Sequence, residues 1–337
     1  MVRSHEPAAI VARTTVAGIH CLPVPTPFAV GAVNAYLVDD EPLTLVDCGP
    51  NSATALAALE GLLADHGRVI ADIDLVVVTH QHMDHMGLAG LVAQRSGAEI
   101  ACLGLLAPYL EGWDEWSARD DDLAHDLMLR HGLEPRAAKA LRSVARMVRG
   151  WGAAAHVDRP LAAGDVLRFA RRTLRVLHRP GHSPSDTVLH DEERGIVIGG
   201  DHLLSRVSSN ALISYPLDGS PTDGRPRPLV EYRASLLATR ALDAAIVLGG
   251  HGEPVTAPAS LIDERVRRQD ERADHLLGLL SQGPRSAHEL ATSLWGDVAI
   301  TQAYLTLSEV LGHVDLLIEA GRVVEDDGGP VTRFEAV

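Results

Sequence analysis

Short apolar runs separated by polar turns fill the first hundred residues. Positions 33–38 and 43–46 read as strands on either side of the turn Asp39-Asp40-Glu41-Pro42. Between 52 and 66 the leucines at 56, 59, 62 and 63 form one helical stripe, with Ser52 as its N-cap. Leu75-Val76-Val77-Val78 is apolar throughout and rich in β-branched residues, the pattern of a strand buried on both faces, and it runs directly into Thr79-His80. A helix over 86–96 and a strand over 98–103 follow. From about 105 to 155 the pattern turns helical and polar, and this stretch holds Trp113, Trp116 and Trp151. Strand-like runs return at 166–170, 173–178, 186–190 and 195–199. A helix near 229–241 then leads into the apolar run 244–248. This order predicts an α/β fold of two sheets with helices outside, an αββα layering.

Beyond 258 strand signals almost vanish. A long amphipathic helix over 259–281 ends at Gly283-Pro284, Ser286 caps a short helix, and a third helix spans 300–320. Two short strand-like runs flank Asp327-Gly328-Gly329-Pro330, a hairpin signal. Three helices and a hairpin read as a winged-helix-like unit. Two domains are expected: 1–257, carrying the helical insertion, and 258–337.

Composition narrows the function. With 46% hydrophobic and 22% charged residues the 337-residue chain is globular, and with 4% aromatics its core must be aliphatic. A formal charge of −15 argues against nonspecific grip on phosphate backbones. Three cysteines (Cys21, Cys48, Cys102) without a CxxC pair provide neither a disulfide scaffold nor a thiolate zinc site. No signal-peptide stretch and no membrane-length apolar run is present, so a soluble cytoplasmic protein is expected.

The candidate chemistry lies in histidines. Thr79-His80-Gln81-His82-Met83-Asp84-His85 packs three imidazoles and a carboxylate into the turn after a buried strand. On extended backbone His80 and His82 share a face, while Asp84 and His85 follow where the chain bends towards a second centre. Imidazole with carboxylate suits zinc, and also iron or manganese. Further along, His182, Asp201 and His251 each follow a strand-like run ending in glycine, which permits the close backbone approach that a crowded centre needs.

With Val46-Asp47-Cys48-Gly49, His80–His85, Gly181-His182, Gly200-Asp201 and Gly250-His251 in this order, the chain resembles the metallo-β-lactamase fold hydrolase superfamily, in its glyoxalase II-like branch. That resemblance implies an αββα sandwich binding two divalent ions. His80, His82 and His182 would hold one, and Asp84, His85 and His251 the other. Asp201 would bridge them, and Asp47 would stand behind the ligands and orient their loop. It also implies that a hydroxide shared by the metals attacks an activated carbonyl, with Asp84 handing a proton to the leaving group. Cys48 reads as a small packed residue. Asp201 stands where the antibiotic-degrading members carry Cys, which argues against β-lactams as the substrate.

A thioester of the acyl-CoA or acyl-glutathione type, or an ester or lactone, is the leading expectation. The alternatives are a single-stranded RNA endonuclease, as in relatives with a winged-helix extension, and a nonenzymatic winged-helix regulator. From 255 onward 7 basic residues face 14 acidic ones, so this copy is poorly suited to nucleic acid and reads as a packing or homodimer module. In the insertion, Arg136, Lys139, Arg142, Arg146 and Arg149 recur at helical spacing. They form either a solvated face balanced by Asp120-Asp121-Asp122 or an anion clamp for a phosphorylated substrate such as an acyl-CoA, with Arg142 and Arg146 as candidate substrate contacts. Trp113 and Trp116 are either pocket wall or core filler. His202 either faces substrate or caps its turn.

Overall fold

A computed structural model describes residues 15–219 and 225–337; the opening segment 1–14, where a signal stretch would fall, lies outside them. The elements in chain order are β1 (Thr15–Val16), β2 (Ile19–Val24), β3 (Val33–Val38), β4 (Thr44–Val46), α1 (Ala53–Ala64), β5 (Leu75–Val78), α2 (Met83–Met86), α3 (Ala89–Ser96) and β6 (Glu99–Leu103). The insertion forms α4 (Ala107–Glu111), α5 (Trp113–Arg130) and α6 (Pro135–Val148). Then come β7 (Arg159–Leu161), β8 (Val166–Arg168), β9 (Thr173–His178), β10 (Thr187–Asp191), β11 (Ile196–Gly200), α7 (Pro228–Arg240) and β12 (Ile246–Gly249). The C-terminal segment forms α8 (Pro258–Leu280), α9 (Ala287–Trp295), α10 (Val298–Thr301), α11 (Ala303–Glu319), β13 (Val323–Asp326) and β14 (Arg333–Ala336).

Strands β1 to β7 lie in sequence order in one sheet, and a second sheet runs β12-β11-β10-β9-β8. The pairings β4–β5, β5–β6, β6–β7 and β11–β12 are parallel, so each sheet is mixed. Alternation along β5 explains its uniform apolarity. Leu75 and Val77 face the second sheet and meet Val176, Leu189 and Ile198, while Val76 and Val78 face α1 and α3 with Leu59, Leu63 and Val92. On the outer face of the second sheet, Val188, Val197 and Val247 pack on Leu229, Tyr232 and Leu236 of α7. Four layers result, the αββα order read from the sequence. Ser52 caps α1, accepting from the Ala55 N–H at 3.1 Å, and Ser286 forms a reciprocal capping box with Glu289 at the start of α9.

Three strands at or next to the sheet's edges escaped the pattern: β1, β2 and β7. Each is short or opens on a turn, and β2 contains Pro23. The insertion and the C-terminal segment share one apolar core. Leu127, Met128 and Leu133, from α5 and its exit, pack with Leu276, Leu290, Leu307, Leu311 and Phe334. This arrangement folds the insertion back over the open end of the two sheets, where the ligand-bearing loops lie. Among the described residues no helix is long and apolar enough to cross a membrane.

Candidate metal centre

Every residue of the centre lies in the segment that follows a strand. After β5 the backbone stays extended through His82 (φ −71°, ψ 139°) and then turns into α2, which carries Asp84 and His85. His182 follows β9, Asp201 follows β11 and His251 follows β12. The fold thereby gathers all seven sequence-predicted residues into two clusters. In one, His80, His82, His182 and Asp201 converge; in the other, Asp84, His85 and His251. His82 Nδ1 lies 3.1 Å from His80 Nε2 and 2.9 Å from His182 Nε2. Asp201 stands between the clusters, its Oδ1 3.4 Å from His85 Nε2 and its Oδ2 3.5 Å from His182 Nε2 and 3.6 Å from His251 Nε2. Asp84 Oδ2 is 3.4 Å from His251 Nε2.

Hydrogen bonds behind the cluster decide which ring nitrogens face it. His182 Nδ1 donates to the Asn210 carbonyl at 2.9 Å and His251 Nδ1 to the Ala32 carbonyl at 2.8 Å. His85 Nδ1 donates to Asp47 Oδ2 at 2.8 Å. The Thr79 hydroxyl donates to Asp47 at 2.8 Å and therefore accepts from His80 Nδ1 at 3.0 Å. Four imidazoles thus turn an Nε2 lone pair inward, beside two carboxylates. His85 Nε2 and Asp201 Oδ1 are buried without any hydrogen-bond partner, although they face each other. Such a crowd of acceptors needs positive charge at its centre. Burial pushes His80 and His82 down, His82 to about 3, and neighbouring histidines push them further. His85 moves the other way: burial opposes its charge, but the Asp201 and Asp47 carboxylates hold it well above the ordinary histidine range. A divalent cation held by these residues would supply the charge that those carboxylates otherwise draw onto His85 as a proton.

Asp47 is the hinge of this support. It accepts from the Thr79 amide and hydroxyl and from His85, and its backbone holds a left-handed φ of 57°. Two glycines are required by space. A Cβ on Gly250 would lie 2.3 Å from Asp201 Oδ1, and one on Gly200, at φ 47°, would lie 2.7 Å from Thr79 Oγ1. Cys48 is a packed thiol that donates to the His85 carbonyl, and burial raises its pKa.

His82, Asp84, His182, Asp201 and His251 form the floor of a cavity of about 670 Å³. Its walls come from α5, α6, the loop 204–214 and the junction of α10 with α11. Several substrate-contact expectations are corrected here. His202 turns away from the cavity: it is fully buried, its Nε2 meets Thr239 Oγ1 at 2.8 Å, and burial pushes it down to about 3. Trp116 packs beside Tyr109 and Tyr215 under Arg119, off the cavity surface, whereas Trp113 lines the cavity. Arg142 lines it too, but is paired with Asp122, as Arg149 is with Asp121. Arg146 is not in the lining. Both arginines that line the cavity are thus paired with the acidic run, and they do not form a free anion clamp there.

Two supporting residues went unread in the sequence. Thr79 couples Asp47 to His80. Asn210, in a loop without periodic pattern, accepts from His182 through its carbonyl and donates from its side chain to the Leu305 carbonyl at 2.9 Å, tying a floor histidine to α11.

The chain belongs to the metallo-beta-lactamase superfamily, whose profile matches residues 29–251, and it is a metal-dependent hydrolase of that superfamily. It is 35% identical to Probable metallo-hydrolase YqjP of Bacillus subtilis (strain 168) over 299 residues, 87% of this chain and 90% of that protein. A crystal structure of a metallo-beta-lactamase family protein from Thermus thermophilus superposes with a TM-score of 0.81 at 28% identity, covering 96% of this chain and 99% of the other. Over 41 residues, 12% of this chain and 15% of the relative, identity to Acyl-coenzyme A thioesterase MBLAC2 of Homo sapiens reaches 46%.

Proposed function

We propose that this protein hydrolyses a thioester, or a closely related activated ester, with two divalent cations, zinc foremost, held by His80, His82 and His182 on one side and by Asp84, His85 and His251 on the other, with Asp201 between them. The observation that carries this reading is the inward set of imidazole lone pairs and carboxylates at the floor of a largely apolar cavity. When bound, the ions lower the pKa of a water and polarise the carbonyl under attack.

The chain's own residues supply the rest. The Asp47–Thr79 pair holds His80 and His85 in the tautomers that ligation needs. The apolar walls exclude bulk water from the floor, which strengthens electrostatic interactions there. Asp84 faces the cavity with its carboxylate ionised: burial opposes its charge, but contact with His251 and proximity to His85 hold its pKa below the ordinary aspartate value. It can therefore take the proton of the attacking water and pass it to the leaving thiolate, giving acid and thiol. No side-chain nucleophile is required. The short likeness to an acyl-coenzyme A thioesterase supports this substrate class. The helices and hairpin of 258–337 support a winged-helix-like unit that serves in packing.

The test is metal analysis of purified protein combined with hydrolysis of acyl-CoA and acyl-glutathione. Two metal equivalents and thioester turnover abolished by chelation are expected. Cleavage of single-stranded RNA without thioester turnover would replace this reading.

A further inference from the structure

The helix α6 turns an apolar stripe towards the cavity, with Leu141 at the edge of the shared core. Leu141, Val144, Ala145 and Val148 follow the i, i+3, i+4, i+7 spacing of one helical face, and all four line the cavity. Ala138 is the one buried residue of this fourteen-residue helix, and Val144 is 55% exposed. An apolar stripe normally faces protein; here it faces the cavity above the metal floor. Val30, Val207 and Leu305 reach the same cavity from three other segments while remaining more than 40% exposed, so they rim its mouth. Soluble proteins rarely gather exposed aliphatic side chains from separate segments around one opening without a ligand for them.

Charge narrows what fits. The two arginines of the lining, Arg142 and Arg149, are neutralised by Asp122 and Asp121, and Asp120 is held by the Tyr109 hydroxyl and the Tyr215 amide, each at 2.8 Å. Among the described residues that line the cavity above the floor, none offers an unpaired cation to an anionic group. The volume, about 670 Å³, lies within the ~300–1,000 Å³ typical of small-molecule sites. Whatever occupies this space reaches the reacting end of the floor and is uncharged and apolar along its length.

We propose that the cavity is a hydrocarbon-chain site, walled by the Leu141–Val148 face of α6, that selects substrates carrying a long aliphatic acyl group. This rests on the ester-hydrolase reading above for its catalytic half, but its binding half stands independently. The acyl carbonyl lies at the floor and the chain runs along the α6 face.

Two measurements test it. The first is kcat/KM for acyl-CoA thioesters from two to sixteen carbons, kept below micelle formation. It is expected to rise by about fourfold per added methylene until the chain fills the cavity, then to level off. Ala145→Phe, which fills the cavity, is expected to lower the ratio of long-chain to acetyl turnover at least tenfold. Ala140→Phe, exposed on the same helix and outside the cavity lining, leaves that ratio unchanged. The second is fluorescence titration of chelator-treated protein with cis-parinaric acid, which needs no catalysis. Saturable binding weakened at least tenfold by Ala145→Phe and not by Ala140→Phe is expected. A flat chain-length profile, or equal effects of the two variants in both measurements, overturns the proposal. Parinarate binding with the expected variant pattern in a protein that hydrolyses no thioester upholds the chain site and removes the ester reading instead.

Discussion

At the metal centre four of the inward-facing imidazoles are each fixed by a hydrogen bond behind them, whereas the cavity walls are built mainly of packed apolar side chains with a few polar ties. His182 and His251 lean on backbone carbonyls, His85 leans on Asp47, and His80 on Thr79. Each floor residue follows the end of a strand, so two sheets hold its backbone. The walls come from α5, α6, an irregular loop and the start of α11, with two Arg–Asp pairs fastening α6 to α5. Chemistry that depends on ligand direction is built on sheet ends, where small displacements are resisted. Selection of a nonpolar group needs only shape and dryness, and helices meet that requirement. The two regions touch through Asn210, whose carbonyl serves the floor and whose amide serves the wall.

This division can be broken deliberately. The largest effect is expected at the floor: Asp201→Ala removes the carboxylate between the clusters, and hydrolysis should fall about a thousandfold, with bound metal dropping below two equivalents by elemental analysis. An unchanged rate would mean that the floor is not the reaction centre. Next comes the support. Asp47→Asn keeps a residue type that tolerates a left-handed φ but removes the charge behind His85 and Thr79. Metal affinity, read by competition with a chromogenic chelator, should weaken by about 10–100-fold. A smaller loss, about tenfold at most, is expected for Asn210→Ala, because the carbonyl that orients His182 remains and only its tether to Leu305 is cut. If affinity is untouched, floor and wall are independent.

The smallest effect tests the shared core of insertion and C-terminal segment. His131 is buried there, stacked on Phe334, and burial together with the nearby Arg225 pushes its pKa down to about 3. The unfolded chain takes up a proton near pH 6.5 that the folded chain refuses, so stability is lost as pH falls from about 6.5 towards 3. Between pH 7 and pH 5.5 this costs about 1 kcal/mol. Urea denaturation of His131→Phe should show that share of the acid dependence removed; an identical pH slope would place His131 outside the shared core's energetics.

Much of this architecture is written in local pattern. The all-apolar run at 75–78 is legible as a doubly covered strand because both of its faces meet aliphatic side chains. The seven residues of the metal centre are legible because metal chemistry restricts residue type, and because each lies in the segment that follows a strand. His202 misled because its neighbour Asp201 is in the site, yet one residue's rotation after β11 carries the imidazole to Thr239 instead. The arginine stripe was legible as a stripe, but its partners Asp121 and Asp122 lie on the preceding helix, and only the packing of α5 against α6 decides that they neutralise it.

Residue type and short-range spacing thus determined the layers, the strand ends and the donor set, since each depends on a few neighbouring positions. The cavity needed the tertiary structure, because Leu141, Leu204, Leu305 and Val30 reach one space only after the insertion and the C-terminal helices have closed on a common core. Apolar contact is nondirectional, and it leaves no signature in sequence that tells a wall from a core.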